Sequence, residues 1–128
     1  NAKCATCHPD AMVAYEKTKH AQAWETLVSK GKQCDVGCIG CHTVGYQQPG
    51  GFCRVEDAPF HGDVGCESCH GPGAGHASAP FDKSARAASF TRARHAAVCV
   101  GCHNPQHSDL FNFDTYLPKI LLPGHGQL

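Results

Sequence analysis

The segment Val64-Gly65-Cys66-Glu67-Ser68-Cys69-His70-Gly71-Pro72-Gly73 sets two cysteines three positions apart, with a histidine directly after the second. The same C-x-x-C-H pattern occurs at Cys4-Ala5-Thr6-Cys7-His8, Cys38-Ile39-Gly40-Cys41-His42 and Cys99-Val100-Gly101-Cys102-His103. Paired C-x-x-C units also build zinc ribbons, and cysteine-rich exported chains build disulfide frameworks. Neither needs a histidine immediately after the second cysteine. With 10 histidines in 128 residues, chance would put one after all four pairs with a probability on the order of 10⁻⁵ to 10⁻⁴, which favours the c-type haem attachment motif.

The spacing has a chemical reason. Two thiols three positions apart reach the two vinyl-derived carbons on one porphyrin edge, and the adjacent imidazole then meets the iron from one face. Four covalently bound haem c groups are therefore expected, attached through Cys4, Cys7, Cys38, Cys41, Cys66, Cys69, Cys99 and Cys102. His8, His42, His70 and His103 are their proximal ligands. Attachment of this kind takes place outside the cytoplasm, so periplasmic or extracellular residence is expected. Two cysteines remain, Cys34 and Cys53. A disulfide between them is the economical expectation in an exported protein, with two free thiols or a bond from Cys34 to another chain as the alternatives.

Composition points the same way. Leu, Ile, Val and Phe together make only 22 of the 128 residues, too few for an ordinary self-sufficient core. The porphyrins are expected to supply what the side chains lack. The first cysteines of successive motifs lie 34, 28 and 33 residues apart. No other positions recur at that period, so each interval is a haem-binding unit rather than a solenoid repeat. Residues 1–128 are taken as a single tetrahaem domain, either a mature processed chain or a piece of a longer one, since Met12 is the sole methionine. The longest apolar stretches are only a few residues, so neither a transmembrane segment nor a signal segment is expected.

Helix signals are clearest from Pro9 to Lys30. Pro9 suits the first helical position, Gly31 suits the stop, and Val13, His20, Trp24, Leu27 and Val28 share a face. A weaker helix is expected from Phe81 to Cys99, and a short one from Tyr116 to Leu122, interrupted at Pro118. Between them lie the glycine-rich loops Gly45–Gly51 and Gly71–Gly75, and no strand pattern persists. The fold class is mainly α with long haem-wrapping loops, a multihaem cytochrome c fold in which the haems form the core. A 128-residue chain has an expected radius of gyration of about 14 Å, which forces four macrocycles into near contact.

Six further histidines are available as distal ligands. With one methionine in the chain, at least three sites lack His/Met ligation, and bis-histidine ligation keeps potentials low. His20, beside Trp24 on the apolar face, is the strongest candidate, against the alternative of a hydrogen-bonded surface histidine. His76, after the Gly71-Pro72-Gly73 turn, and His125, in Pro123-Gly124-His125-Gly126, follow. His61, His95 and His107 lie too near their neighbouring attachment motifs to swing easily onto the same haem. Each is left to ligate a different haem, to ligate one in a neighbouring subunit, or to hydrogen-bond a propionate.

Three stretches carry a family resemblance: Cys4 to Leu27 (CATCHPDAMVAYEKTKHAQAWETL), Cys38 to Phe52 (CIGCHTVGYQQPGGF) and Val64 to Gly73 (VGCESCHGPG). They resemble the cytochrome c-554 family of tetrahaem cytochromes. The resemblance implies a mostly helical fold with haems in alternating stacked and perpendicular pairs. It also implies His20 as distal ligand to the haem on His103, His76 to the haem on His8, and His125 to the haem on His70. In the family pattern the second-motif haem lacks a side-chain distal ligand. Here that is the haem on His42, and the extra histidines leave its capping open. Related domains occur fused to phosphohydrolase domains or as subunits of extracellular cytochrome filaments.

The expected function is low-potential electron transfer along four closely packed haems, as a shuttle or as a filament subunit. A homo-oligomer or filament would borrow a histidine between subunits, with His61 or His107 the candidates. The alternative is a redox enzyme acting on a small nitrogen or oxygen species at an open, five-coordinate haem on His42. No hydrolytic triad, phosphate loop or carboxylate pair stands out. Eleven Lys+Arg balance eleven Asp+Glu, which excludes a basic stripe for nucleic acid. Four haems with their propionates shift that zero to about −4 oxidised and about −8 reduced. A redox partner with a basic docking patch follows.

Overall fold

A computed structural model describes residues 1–79, 81–91 and 96–125 of the chain. Nine short α-helices occur among the described residues. In chain order they are α1 (Ala2–Ala5), α2 (Pro9–Glu16), α3 (Ala23–Val28), α4 (Val36–His42) and α5 (Ala58–His61). Then come α6 (Cys66–His70), α7 (Ala74–Ser78), α8 (Lys83–Ala88) and α9 (Phe113–Tyr116). The only β pairing among the described residues is a single antiparallel bridge between Thr43 and Gly62.

The helix expected over residues 9–30 is broken in two. It starts as read, with Pro9 in the first turn, but ends at Glu16. Thr18 is extended (φ −90°, ψ 159°), and its Oγ1–H donates to the Tyr15 carbonyl at 2.7 Å. That local bond competes with the helical ladder. After it comes a 3-10 turn, Lys19–Gln22, and then α3. The break changes which side chains are buried. Ala14, Tyr15, Thr18, Ala23 and Leu27 point inward, while Val13 and Val28, expected on the apolar face, are exposed. Gly31 does end the unit: at φ +63° it lets the Lys32 N–H reach the Leu27 carbonyl at 2.8 Å.

The two later helices are also shorter than expected. The described residues of 81–99 contain α8 and a 3-10 turn, Ala96–Val98, and residues 92–95 of the expected helix lie outside the described residues. At the C-terminal end α9 begins earlier than expected, because the Asn112 side chain caps it by accepting from Thr115 N–H at 3.1 Å. Pro118 then sits in the first turn of a 3-10 segment, Leu117–Lys119, where its missing N–H costs nothing.

The side-chain core is small and lies at one end of the sequence. Its apolar members among the described residues are Ala14, Tyr15, Ala23, Leu27, Ile39, Val44 and Phe52. Phe52 is its centre, with ring centroids 5.2 Å from Trp24 and 6.4 Å from Tyr46. The loop 45–51 closes over it so tightly that a Cβ on Gly51 would collide with the Gly45 carbonyl. No described apolar side chain after Phe52 is buried. The described residues after Phe52 are not organised by an aliphatic core of their own.

Candidate haem sites

Each C-x-x-C-H motif forms one helical turn. In the first and fourth, the histidine N–H donates to the carbonyl of the first cysteine, His8 to Cys4 and His103 to Cys99, both at 2.9 Å. The second and third motifs lie inside α4 and α6. Both of these helices are capped. The Asp35 carboxylate accepts from Gly37 N–H at 3.0 Å, and Asn1 Oδ1 accepts from Cys66 N–H at 3.0 Å. A helical turn places positions i, i+3 and i+4 on one face, so both thiols and the imidazole share an edge.

Burial pushes the Cys66 thiol up to about 11, and the Cys4 thiol adds to the rise. Burial likewise pushes Cys102 up to about 12, with Cys41 contributing. Cys69 is raised by burial and then by Cys99. The motif turns lie beside one another: Asn1, just before the first motif, accepts from Cys66 N–H of the third, and Cys41, Ser68 and Cys102 of the second, third and fourth line one cavity. The two cysteines outside the motifs behave differently. Cys34 and Cys53 are free and exposed, which corrects the expected disulfide: each sits on a separate surface turn, one before α4 and one ahead of the 3-10 segment Val55–Asp57.

Three pairs of imidazoles come together from distant parts of the chain. Ring centroids are 6.1 Å apart for His8 and His76, 6.0 Å for His20 and His103, and 6.2 Å for His70 and His125. An imidazole nitrogen lies about 2 Å from a first-row metal, and the ring centroid about 1 Å beyond, so two axial imidazoles on one iron have centroids about 6 Å apart. No group of three or more His, Cys, Asp or Glu side chains forms a metal cage among the described residues. Two imidazoles at this separation, with no third protein donor beside them among the described residues, would suit the iron of a macrocycle that supplies the remaining ligands.

The hydrogen bonds select the right tautomer. Nδ1–H of His42, His70, His76 and His125 donates to the carbonyls of Ala23 (2.7 Å), Thr91 (2.8 Å), Arg86 (3.2 Å) and Ile120 (3.0 Å). His103 Nδ1 pairs with Ser108 Oγ at 3.3 Å. A carbonyl only accepts, so the proton is on Nδ1 and Nε2 is left bare for a metal. Burial lowers the pKa of His20 and His103, and the His103 ring lowers His20 further, which disfavours the charged form of both rings. The donor set therefore fits haem.

His42 has no imidazole partner among the described residues. Beside its motif lies a cavity of about 260 Å³ lined by Cys41, Thr43, Tyr46, Val64 and Cys102, among others. His61 and His107 likewise lack a ring partner among the described residues. His61 Nδ1 is buried without a hydrogen bond, and His107 is exposed on a turn after the fourth motif. His95 lies outside the described residues.

With this geometry in place, comparison with known proteins is direct. Residues 3–71 match the family model for cytochrome c554 and c-prime. The chain belongs to the cytochrome c554 family. Cytochrome c-554 of Nitrosomonas europaea is 36% identical in an alignment of 86 residues that covers 56% of this chain and 37% of that protein. The chain therefore aligns with little more than a third of that relative's length. The structure of reduced cytochrome c554 from Nitrosomonas europaea superposes with a TM-score of 0.72 at 26% identity, covering 93% of this chain and 80% of that one. The mainly helical cytochrome c554 fold is therefore present here, in a family that carries covalently attached haem c.

Within that fold, aromatic residues missed in the sequence pack against the imidazoles. Phe90 stacks on His70 at 4.4 Å and leans on His76 at 5.0 Å. Phe111 stacks on His103 at 4.5 Å and is met edge-on by Tyr116. A signal for the first was available. Lys83, Arg86, Ala87 and Phe90 follow an i, i+3, i+4, i+7 stripe, and with His8 and His76 they line a second cavity of about 420 Å³.

Proposed function

We propose that residues 1–128 form one tetrahaem electron-transfer unit of low potential. The observation that carries this is the set of three imidazole pairs at 6.0–6.2 Å, each formed by one motif histidine and one histidine far away in sequence. A haem iron supplies reversible one-electron exchange between its ferric and ferrous states. The chain's contribution is placement. The thiol pairs 4/7, 38/41, 66/69 and 99/102 tether four groups, and His8, His42, His70 and His103 meet them from one face. His76, His20 and His125 close the sites of His8, His103 and His70. Two imidazoles per site, rather than imidazole and methionine, keep the potentials low. The closeness of the first to the third motif turn, and of the second, third and fourth around one cavity, supports a route for electrons between the sites.

No described helix is long and apolar enough to cross a membrane. The attachment chemistry supports a location outside the cytoplasm, periplasmic or extracellular. The anionic propionates favour redox partners with a basic docking patch. His61 and His107 are spare donors, available to a propionate or to a neighbouring subunit, so a filament subunit stands beside a freely diffusing shuttle. Mass spectrometry of the intact protein, with electron paramagnetic resonance of the oxidised state, tests the proposal. The expected result is four haem masses and three low-spin bis-histidine signals. Fewer haems, or high-spin signals from the first, third and fourth sites, would overturn it. A species that dissociates to monomers on dilution favours the shuttle, and a persistent polymer favours the filament.

A second reading concerns His42 alone. Because no imidazole faces it among the described residues, an open iron there would bind a small nitrogen or oxygen species and support a redox activity. Addition of cyanide, carbon monoxide or nitric oxide decides it: one site responding supports the reading, and an unchanged spectrum removes it.

A further inference from the structure

We propose that Phe90 is a positioning residue shared by two iron sites, orienting the imidazoles of His70 and His76 together. The proposal rests on the ligand assignment above, in which His70 belongs to the third-motif site with His125 and His76 to the first-motif site with His8. The Phe90 ring lies 4.4 Å from His70 at an interplanar angle of 14° and 5.0 Å from His76 at 39°. It contacts one axial ring of each site.

The backbone around Phe90 holds the same two rings. The Arg86 carbonyl accepts from His76 Nδ1–H at 3.2 Å, and the Thr91 carbonyl accepts from His70 Nδ1–H at 2.8 Å. Thr91 N–H returns to the His70 carbonyl at 3.0 Å. The six residues 86–91 thus carry both acceptors and the ring between them. These outer contacts fix the rotation of an axial imidazole and the basicity of its ligating nitrogen, and so tune the metal. The two sites are neighbours, since Asn1, just before the first motif, accepts from Cys66 N–H of the third at 3.0 Å.

Packing alone does not explain Phe90. It is 36% exposed and stands outside the cluster around Phe52. An exposed aromatic ring lying nearly parallel to an imidazole contributes little to a core, but it does restrict ring rotation. The fourth-motif site has its own counterpart, Phe111 on His103 at 4.5 Å and 20°, and provides an internal control.

The experiment uses the intact protein with all haems attached. Phe90→Leu is expected to shift two of the four midpoint potentials and two of the low-spin resonance signals, leaving the His20–His103 signal unmoved. Phe90→Trp, which keeps a planar ring, returns both signals toward their original positions. Phe111→Leu moves only the His20–His103 signal. If the leucine variant fails to load four haems, Phe90→Met is read in the same way. Unchanged potentials and signals, a shift at one site only, or an equal shift at all four would overturn the proposal. Failure of the ligand assignment looks different, because the unsubstituted protein would then lack the bis-histidine signals.

Discussion

His20 and His103 face each other across 6.0 Å, one from a 3-10 turn between α2 and α3 and the other from the fourth motif turn. His20 reaches this position only because the helix breaks at Thr18. As the proposed distal ligand, its replacement changes one site and spares the rest. His20→Met is expected to raise one midpoint potential by on the order of 100 mV, within the ~0.8 V that axial ligands span. His20→Ala is expected to leave that iron high-spin and open to carbon monoxide. Potentiometric titration with optical detection checks both, and four unchanged potentials would exclude His20 as a ligand.

Among the described residues the buried apolar side chains all lie between residues 14 and 52, so the proposed haems are expected to organise the rest. Replacing Cys66 and Cys69 by alanine removes one attachment. The expected result is loss of protease resistance after Phe52, with the Trp24–Phe52 cluster holding longest. Limited proteolysis followed by mass mapping reads this out. Cleavage spread evenly over both halves would show that the aliphatic cluster is not the independent part.

Much of the functional chemistry was legible in the sequence because it is local. A C-x-x-C-H turn is five residues long and carries its own geometry, so the proposed attachment positions follow from spacing alone. The pairing of imidazoles is not local. His8 with His76, or His70 with His125, depends on the path of the intervening loops, and only the family resemblance suggested those partners. The helix break at Thr18 escaped because a hydroxyl-to-carbonyl bond to Tyr15 outweighed a periodic pattern that otherwise read as continuous helix. Phe90 escaped because its stripe reads as ordinary helix amphipathicity until the two imidazoles it touches are seen.

Lys83 lines the cavity beside His8 and His76. A cation near that site disfavours the ferric state, which carries one more positive charge than the ferrous. Lys83→Gln is expected to lower one midpoint potential, by a margin that shrinks as ionic strength rises. Titrations at low and high salt measure it, and a potential that stays put at low salt removes Lys83 from the electrostatics of the site.

Cys34 and Cys53 are exposed and unpaired. Alkylation of the native, unreduced protein is expected to label two cysteines per chain, with the eight motif cysteines protected by their thioethers. Cys34→Ser and Cys53→Ser should each change stability by less than about 0.5 kcal/mol, as surface substitutions do. No labelling before reduction, and two labels after it, would restore the disulfide.

Tyr15 is buried, and burial, followed by the Asp63 carboxylate, raises its pKa from 10.0 to about 12 against a smaller lowering by the Asn1 side chain. The unfolded chain therefore loses this proton near pH 10 while the folded chain keeps it. Between pH 10 and 12 the folded state binds more protons, so stability falls as pH rises through that window. Two pKa units correspond to at most about 2.7 kcal/mol. Tyr15→Phe removes both the titration and the buried hydroxyl. It is expected to leave the protein as stable as before, or up to about 1 kcal/mol more stable, at pH 7, and to flatten the alkaline decline. Denaturation of both proteins at pH 7, 10 and 11.5 measures this. Parallel declines in the two would place the alkaline sensitivity in another group.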